Sequence, residues 1–581
     1  RHAERQHQNV FYTDIISEMR HNGMLKDSLD IFNIGIDYPI KNHGFKFDFI
    51  GCQSGFLWQS QAAMIGDICL VIEENAQLYC SIRYKHDIPS EFIAQMAEAF
   101  ELVLNQVLAK PDIQISDLKY INDSRRKEIL SLSTASLHNI DINSITDIIS
   151  LIKNQSISNP DAIAIKYKEK SLSYRQLEHE SDCFANYLSQ KIIPGDNVGV
   201  LMRRSDRMII AILGILKSGC AYVPLNINNP EQRNKHIVDD CNIGLIIVDN
   251  DNSSIYGKQT STVVTGGISE KSPKTINISK KAYILYTSGT TGEPKGIVIS
   301  HLNLAVMVQN EIRLFCLNQH SSVLQYANIF FDASVTEIFS TLAAGATMVI
   351  ADEIDQHDPL KIASLIDEYS ITCATIPPAM LPVLPKRDFS SLQTIIVGGE
   401  STDADSIDYW KTKKRFINAY GPTENTVDTS VCIMTADTPH NDIGKPLNGT
   451  VCYVLDKDLN ILPYYVPGEL YIGGLQLSSG YIGKPLLNAQ YFITNPYHES
   501  TDVAPVLYRT GDIVQMTPNG HLLFLGRRDN QVKLRGQRIE LSEIEKAISQ
   551  NKDVTQAIVR VDNTHGNKHI VAYVESAVLS D

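Results

Sequence analysis

From about residue 160 the chain alternates short apolar strands with helical stretches, and that rhythm leaves few architectures open. Strands separated by helices assemble as a largely parallel sheet with helices packed on it, so an α/β fold is expected. "AIAIKY" leads through a turn into "SLSYRQLEHESDCFANYL". There Ser173 and Gln176 have capping-box spacing ahead of a helix whose apolar face is Leu177, Phe184 and Leu188. "MIIAILGIL", 208–216, is about half the length that spans a bilayer and reads as a core helix. "ATMVIA", "ITCATI", "LQTIIVGG" and "RFINAYG" each read as a strand ending in small or polar residues. In open α/β sheets such strand ends are where ligands gather.

The flanks follow a different grammar. In 67–84, Ile68, Leu70 and Ile72 and then Leu78, Cys80, Ile82 and Tyr84 alternate around "ENA", which predicts a hairpin with one buried face. "PSEFIAQMAEAFELVLNQVL" predicts a helix with Phe92, Met96, Ala99, Val103 and Val107 on one face and Ser90 as its N-cap. The polar stretch 119–145 reads as an interdomain linker carrying one short helix. Past 526, "RIELSEIEKAIS" places Ser542 and Glu545 as a second capping box, and "QAIVRVD" and "HIVAYVES" supply two strands of a small α+β domain.

A length of 581 residues suggests about three or four domains. The net charge of -14, with no basic cluster, argues against a nucleic-acid partner. The ten cysteines are scattered without metal-ligand spacing, which favours free thiols in a reducing cytoplasm over disulfides or a zinc site. No segment is long and apolar enough to predict a membrane span. The opening "RHAERQHQNV" has neither initiator Met nor apolar signal core, as expected of a piece of a longer protein.

The loop "YTSGTTGEPKG", 286–296, follows the apolar run "AYIL". A glycine-rich turn leaving a strand can aim backbone N–H groups and hydroxyls at one anion. It is not a Walker loop, because Glu293 and Pro294 separate Gly292 from Lys295 and Gly296 follows the lysine. Composition alone fits a flexible surface loop equally well.

In its context the loop resembles the phosphate loop of the adenylate-forming superfamily: acyl-CoA synthetases, luciferases and adenylation domains of nonribosomal peptide synthetases. Further matches follow in family order: "LSYRQL", "LKSGCAYVPLN", "FDAS", "NAYGPTE", "GELYIGG" with "SGY", "YRTGD" and "GRRDNQVKLRGQRIELSEIE". The resemblance covers about 146–581 and implies a two-step chemistry. A carboxylate attacks the α-phosphorus of ATP, giving an acyl adenylate and pyrophosphate; a phosphopantetheine thiol on a partner carrier protein then takes the acyl group.

By resemblance, Ser288, Thr290, Thr291 and Lys295 hold the β and γ phosphates, with Thr287, Gly289 and Gly292 in the same loop. Thr423 contacts the α-phosphate and Glu424 coordinates Mg²⁺. Tyr420 stacks on adenine, Asn418 bonds its edge, and Gly399, Glu400, Ala419 and Gly421 complete the nucleotide site. Asp512 accepts from the ribose hydroxyls, while Arg527 and Lys533 reach nucleotide or substrate from the small domain, with Asp529 as its hinge. Asp332 of "FDAS" pairs with a substrate α-ammonium, a partner that fatty and aryl acids lack; the alternative is an N-cap for the helix that follows. The substrate pocket carried over is Asp332, Ala333, Thr336, Thr375, Ile396, Gly398, Ala419, Val427 and Asp428. It is lined mostly by small side chains, Asp428 adds an acceptor or a charge, and the amino acid stays open.

Residues 1–118 resemble the last part of a condensation domain, on "HQNVFYTDII" and the hairpin-plus-helix pattern, but the double-histidine motif of that family is absent. The expected organisation is therefore 1–118 condensation-type lobe, 119–145 linker, 146–525 adenylation core and 526–581 a truncated small subdomain. The superfamily's final lysine lies in a motif beyond residue 581, so impaired turnover is expected of this chain. Asn226 stands where an Asp is usual, and Ser542, where a Gly is usual, still supplies an N-cap. An acyl- or aryl-CoA ligase and a binding-only module remain the alternative readings.

Overall fold

The computed structural model describes residues 34–37, 67–74, 78–137, 140, 144–250, 254–264, 280–288, 294–498, 504–529, 531–534, 537–551, 553–562 and 569–576. Two units divide at Asp123 and Ser124.

In the first unit the predicted hairpin forms from Ile68–Glu74 and Leu78–Tyr84, with Ile68 opposite Tyr84 and Leu70 opposite Ile82. The alternation therefore places both apolar sets on one face. Ile68 and Leu70 are buried on it, whereas Cys80 and Tyr84 are exposed, so the second strand is less covered than expected. A strand absent from the sequence reading, Ile34–Asp37, pairs parallel with Ile68–Glu74. The helix runs Ser90–Ala109, but Pro89 is its N-cap and Ser90 is the first helical residue, its hydroxyl turned to Glu91 at 3.2 Å. Proline fits there because its fixed φ suits the helix entrance and no side-chain acceptor is required of it.

The second unit is built on two sheets. The larger runs in the order Thr450–Leu455, Gly468–Gly474, Val506–Met516, Leu522–Arg527, Asp442–Pro446, Ser430–Met434, Arg415–Tyr420, Thr394–Gly398, Cys373–Thr375, Ser322–Gln325, Thr347–Ile350, Ile163–Tyr167 and Lys170–Ser173. The stretch from Ile163–Tyr167 to Arg415–Tyr420 is parallel, as the helix-separated strands require, and from Ser430–Met434 onward the pairing turns antiparallel. The second sheet orders Lys295–Ser300, Lys281–Thr287, Ala221–Pro224, Asn197–Leu201, Leu245–Val248 and Lys258–Ser261, ending on Ser254–Ile255.

One core joins both sheets through the helices Tyr174–Leu188, Asp206–Lys217 and His301–Leu314. The predicted capping box at Ser173 and Gln176 forms, and Leu177, Phe184 and Leu188 are buried. The helix of "MIIAILGIL" is buried on every side, which explains why its sequence shows no polar stripe. Even its Lys217 is buried, held by Glu178 at 2.8 Å and Asp182 at 2.7 Å.

Two expectations need revision. The helix of the 119–145 stretch, Asp123–Thr134, is docked rather than free. Its Ile129 and the following Leu137 lie in the core of the antiparallel strands, and Tyr464 donates to Glu128 at 2.9 Å. Local polarity hid two apolar anchors. At the other end, helix Leu541–Ser549 takes Glu540, not Ser542, as its N-cap, and no capping box forms. Glu545 instead accepts from the Val559 amide at 2.9 Å, tying the helix to the hairpin Val554–Asp562 and His569–Ser576.

Candidate functional site

The candidate residues gather at the C-terminal ends of the parallel strands, where the chain leaves the sheet and side chains can converge. Asp332 follows Ser322–Gln325, Thr375 ends Cys373–Thr375, Gly398 ends Thr394–Gly398, and Tyr420 ends Arg415–Tyr420. Register places Thr375 beside Ile396 and Gly398 beside Ala419. A Cβ on Gly398 would lie 2.6 Å from the Ala419 carbonyl oxygen, and one on Gly421 only 2.0 Å from that of Val427. Both glycines are there for closeness of backbones.

A buried charge cluster stands at one side. Lys295 and Glu424 are 2% and 0% exposed. The Lys295 ammonium is 3.3 Å from Glu424 Oε1 and donates to the Tyr481 hydroxyl at 3.0 Å. That hydroxyl donates to Glu424 at 2.7 Å, and the ammonium sits over the Tyr481 ring, 4.5 Å from its centre. The aromatic wall replaces part of the hydration the cation has lost. Tyr481 belongs to the quoted "SGY", yet its role was missed; a tyrosine after a glycine turn carries no role in composition alone.

Asp332 takes the N-cap role weighed for it and makes a second contact that the sequence reading did not foresee. Its Oδ1 accepts from the Ala333 amide at 3.0 Å at the start of a helical turn, and its Oδ2 accepts from the Thr423 hydroxyl. The segment ahead of Asp332 is fixed by Glu337, whose buried carboxylate accepts from the Tyr326 and Ala327 amides at 2.9 and 2.8 Å. Arg204, also buried, donates to the Tyr326 and Ala327 carbonyls at 2.9 Å each.

Behind Thr336 stands a residue the sequence reading did not single out. Glu311, fully buried on helix His301–Leu314, accepts from Thr336 Oγ1 at 2.9 Å and from Ser340 Oγ at 2.5 Å, and lies near enough to Asp428 for the two carboxyls to affect each other. Burial raises both carboxyls, Glu311 well above the ordinary range and Asp428 to about 7. A lone glutamate inside the apolar run "LAVMVQNEI" was the available signal. Thr426 and Val427, between Glu424 and Asp428, have φ of 54° and 65°, in the left-handed region that β-branched residues rarely enter. Gln476 pins this turn: its carbonyl accepts from Thr426 Oγ1 and its side chain donates to the Asp428 carbonyl, each at 2.6 Å.

Tyr420 donates to Asp512, whose other oxygen receives Arg527 at 2.6 Å. The same guanidinium bonds Asp529 at 2.8 and 2.9 Å. Asn418 donates to the Asp442 carbonyl at 2.8 Å. Gly399 has φ of 83° and Glu400 beside it is half-buried. Ser288 is buried, and the buried Thr287 Oγ1 finds no hydrogen-bond partner among the described residues. Gly289, Thr290, Thr291 and Gly292 lie outside the described residues, as does the side chain of Lys533.

The scattered cysteines are free where described, yet the fold brings Cys432, Asp442 and His521 within 4.8 Å of one another. Spacing could not reveal this, because Cys432 and Asp442 lie on neighbouring strands and His521 just ahead of Leu522–Arg527, far apart in sequence. Asp442 accepts from the Gly444 amide at 2.7 Å and is 2.8 Å from His521 Nδ1, so it cross-links that region. No described helix is long and apolar enough to cross a membrane.

A buried lysine–glutamate cluster and a carboxylate bonded to a hydroxyl thus stand beside strand ends of an α/β fold. The chain belongs to the AMP-binding enzyme family, whose model matches residues 152–482. It is 35% identical to tyrocidine synthase 1 of Brevibacillus parabrevis over 441 residues, 73% of this chain and 40% of that protein. To bacitracin synthase 3 of Bacillus licheniformis it is 35% identical over 518 residues, 86% of this chain and 8% of that protein. The chain thus spans less than half the length of these relatives. Among solved structures, a four-domain nonribosomal peptide synthetase bound to AMP and glycine superposes with a TM-score of 0.79 at 27% identity, covering 99% of this chain and 45% of that one. The fold is the α/β fold of nonribosomal peptide synthetase adenylation domains.

Proposed function

We propose that this chain activates an α-amino acid as its aminoacyl adenylate, releasing pyrophosphate, for transfer to the phosphopantetheine thiol of a carrier protein in nonribosomal peptide synthesis. The observation that carries this reading is the hydrogen bond from Thr423 to Asp332. It puts the carboxylate suited to an α-ammonium against the hydroxyl suited to an α-phosphate, so the amino acid's carboxylate would lie where in-line attack on phosphorus begins. Holding the two reactants so removes much of the entropic barrier.

Lys295 would neutralise phosphate charge, and the partnerless Thr287 hydroxyl with Ser288 would donate to the same oxygens. A buried carboxylate such as Glu424 is a hard oxygen donor and fits Mg²⁺ shared with substrate phosphates. When bound, that ion supplies further neutralisation of the leaving pyrophosphate. Asp512 would meet the ribose hydroxyls, and Tyr420, Asn418, Gly399, Glu400, Ala419 and Gly421 the base. Lys533 and the hinge Asp529 belong to the small subdomain's part in the cycle. Support for a condensation-type origin of residues 1–118 comes from the sequence pattern and the hairpin-plus-helix unit.

The test is thermal stability of the chain with Mg-ATP and each amino acid in turn. A ligand at about 100 times its Kd stabilises the folded state by about 2.7 kcal/mol. The expected result is a raised Tm with one or a few amino acids, lost in Asp332→Ala. A rise with fatty or aryl acids alone would overturn the reading in favour of a CoA ligase.

A further inference from the structure

Three neighbouring strands of the antiparallel region bring three unlike donors to one spot. Cys432 sits in the middle of Ser430–Met434, Asp442 opens Asp442–Pro446, and His521 stands just ahead of Leu522–Arg527. Their sulfur, carboxylate oxygen and ring nitrogen all lie within 4.8 Å of one another. His521 Nδ1 is 2.8 and 3.1 Å from the two Asp442 oxygens. Cys432 is 1% and Asp442 5% exposed, whereas the His521 side chain is 28% exposed, so the cluster has a dry base and one side open to solvent.

The backbone is shaped for this meeting. Pairing of Asp442–Pro446 with Leu522–Arg527 shifts register between Asp442 and Gly444, and such irregularities re-aim the side chains beside them. Gly444 has φ of 80°, and a Cβ on it would lie 2.0 Å from the Val431 carbonyl oxygen, so glycine is what lets the strand close on Cys432. Each donor is also held from behind. Asp442 Oδ1 accepts from the Gly444 amide at 2.7 Å, and the Asp442 carbonyl accepts from Asn418, whose partner across the strands is Cys432. Thr517 grips the backbone of His521, its hydroxyl accepting from the His521 amide at 3.0 Å and its amide donating to the His521 carbonyl at 2.9 Å. Metal ligands are characteristically oriented by outer partners of this kind.

We propose that Cys432, Asp442 and His521 form a binding site for a divalent cation of the zinc type. Its ligands are none of the residues assigned to Mg-ATP, and it stands whether or not the chain activates an amino acid. A thiolate, an imidazole and a carboxylate on one ion suit zinc, whereas Mg²⁺ takes oxygen donors. Bonds of about 2.0–2.3 Å hold tetrahedral ligands roughly 3.3–3.8 Å apart, so side-chain rotation is enough to close the cluster on an ion. The thiol gives its proton to solvent as the metal–sulfur bond forms, and the imidazole binds neutral through Nδ1 with its remaining proton on Nε2. Three protein ligands leave the fourth position to water. Bound there, the ion would join three strands and stabilise the folded chain.

The experiment strips the whole chain with a chelator and titrates it with Zn²⁺ and, separately, with Co²⁺, whose optical bands report thiolate ligation. The expected result is about one tightly held equivalent per chain, a raised Tm with Zn²⁺, and with Co²⁺ a near-ultraviolet thiolate band beside the visible bands of four-coordination. Loss of an outer partner costs about 10- to 100-fold in metal affinity, and loss of a ligand should cost no less. Cys432→Ser should therefore abolish the thiolate band and weaken Zn²⁺ at least about 10-fold. His521→Gln, at the part-exposed ligand, should weaken Zn²⁺ by as much while the thiolate band returns at high Co²⁺. Cys316→Ser, at an exposed thiol, should change neither. A wild-type chain without the thiolate band overturns the inference, as does binding left intact by Cys432→Ser or by His521→Gln; the three residues would then be a hydrogen-bonded cross-link and nothing more. The wild-type spectrum and the His521 variant keep the test open to failure even if Cys432→Ser does not fold.

Discussion

At the scale of single residues, the site is a set of charges held out of water by one another. Lys295 and Glu424 are the sharpest case, since breaking a buried ion pair from one side leaves the other charge poorly compensated. Glu424→Gln is expected to destabilise the chain by about 3 kcal/mol, read as a lower midpoint in urea denaturation. Lys295→Met/Glu424→Gln should recover at least half of that loss; equal loss in both would show that the pair is not what stabilises this corner. The sequence displayed each of these residues within a motif but not their mutual contacts. Tyr481 and Glu311 were missed for a related reason: each acts through a neighbour distant in sequence, so local pattern shows at most an isolated acid, as at Glu311, and not what it bonds.

At the scale of elements, periodicity was a dependable guide where one face of an element meets a core. The helix Tyr174–Leu188 and the strands ending at Gly398 and Tyr420 formed as expected, because the apolar spacing itself drives their packing. It failed where the deciding partner is remote. Ser90 and Ser542 looked like caps, yet Pro89 and Glu540 enter those helices, since the chain's approach to a helix is set by what precedes it. The polar 119–145 stretch docks by Ile129 and Leu137, two anchors too few to raise a periodic signal. Packing between elements makes its own prediction at Gly214, where helix Asp206–Lys217 crosses Tyr174–Leu188. A Cβ there would lie 2.6 Å from Phe184 Cδ1, and Phe184 is itself fully buried. Overpacking costs about 1–3 kcal/mol against about 1 kcal/mol gained in helix propensity. Gly214→Ala should therefore lower stability by up to about 2 kcal/mol, and a raised denaturation midpoint would show that the helices can move apart.

For the whole molecule, the division at Asp123 and Ser124 says that the two-sheet unit carries its own core. A chain beginning at Ser124 should keep the full Tm rise with Mg-ATP; loss of that rise would mean that residues before 124 contribute to the nucleotide site. The antiparallel strands that extend the parallel sheet were not read from the sequence, nor was their place in one continuous sheet, because pairing order is a long-range property. The turn at Thr426 and Val427 carries a consequence for that whole. Sparsely populated backbone geometry stores about 1–3 kcal/mol per residue, against a total stability of only about 5–15 kcal/mol. Natural variation that reshapes the proposed amino-acid site through this turn therefore acts on folding and selectivity together. A lineage drifting toward glycine at 427 would gain robustness as its pocket lost definition, and selection for a single substrate would hold the chain nearer its threshold of stability.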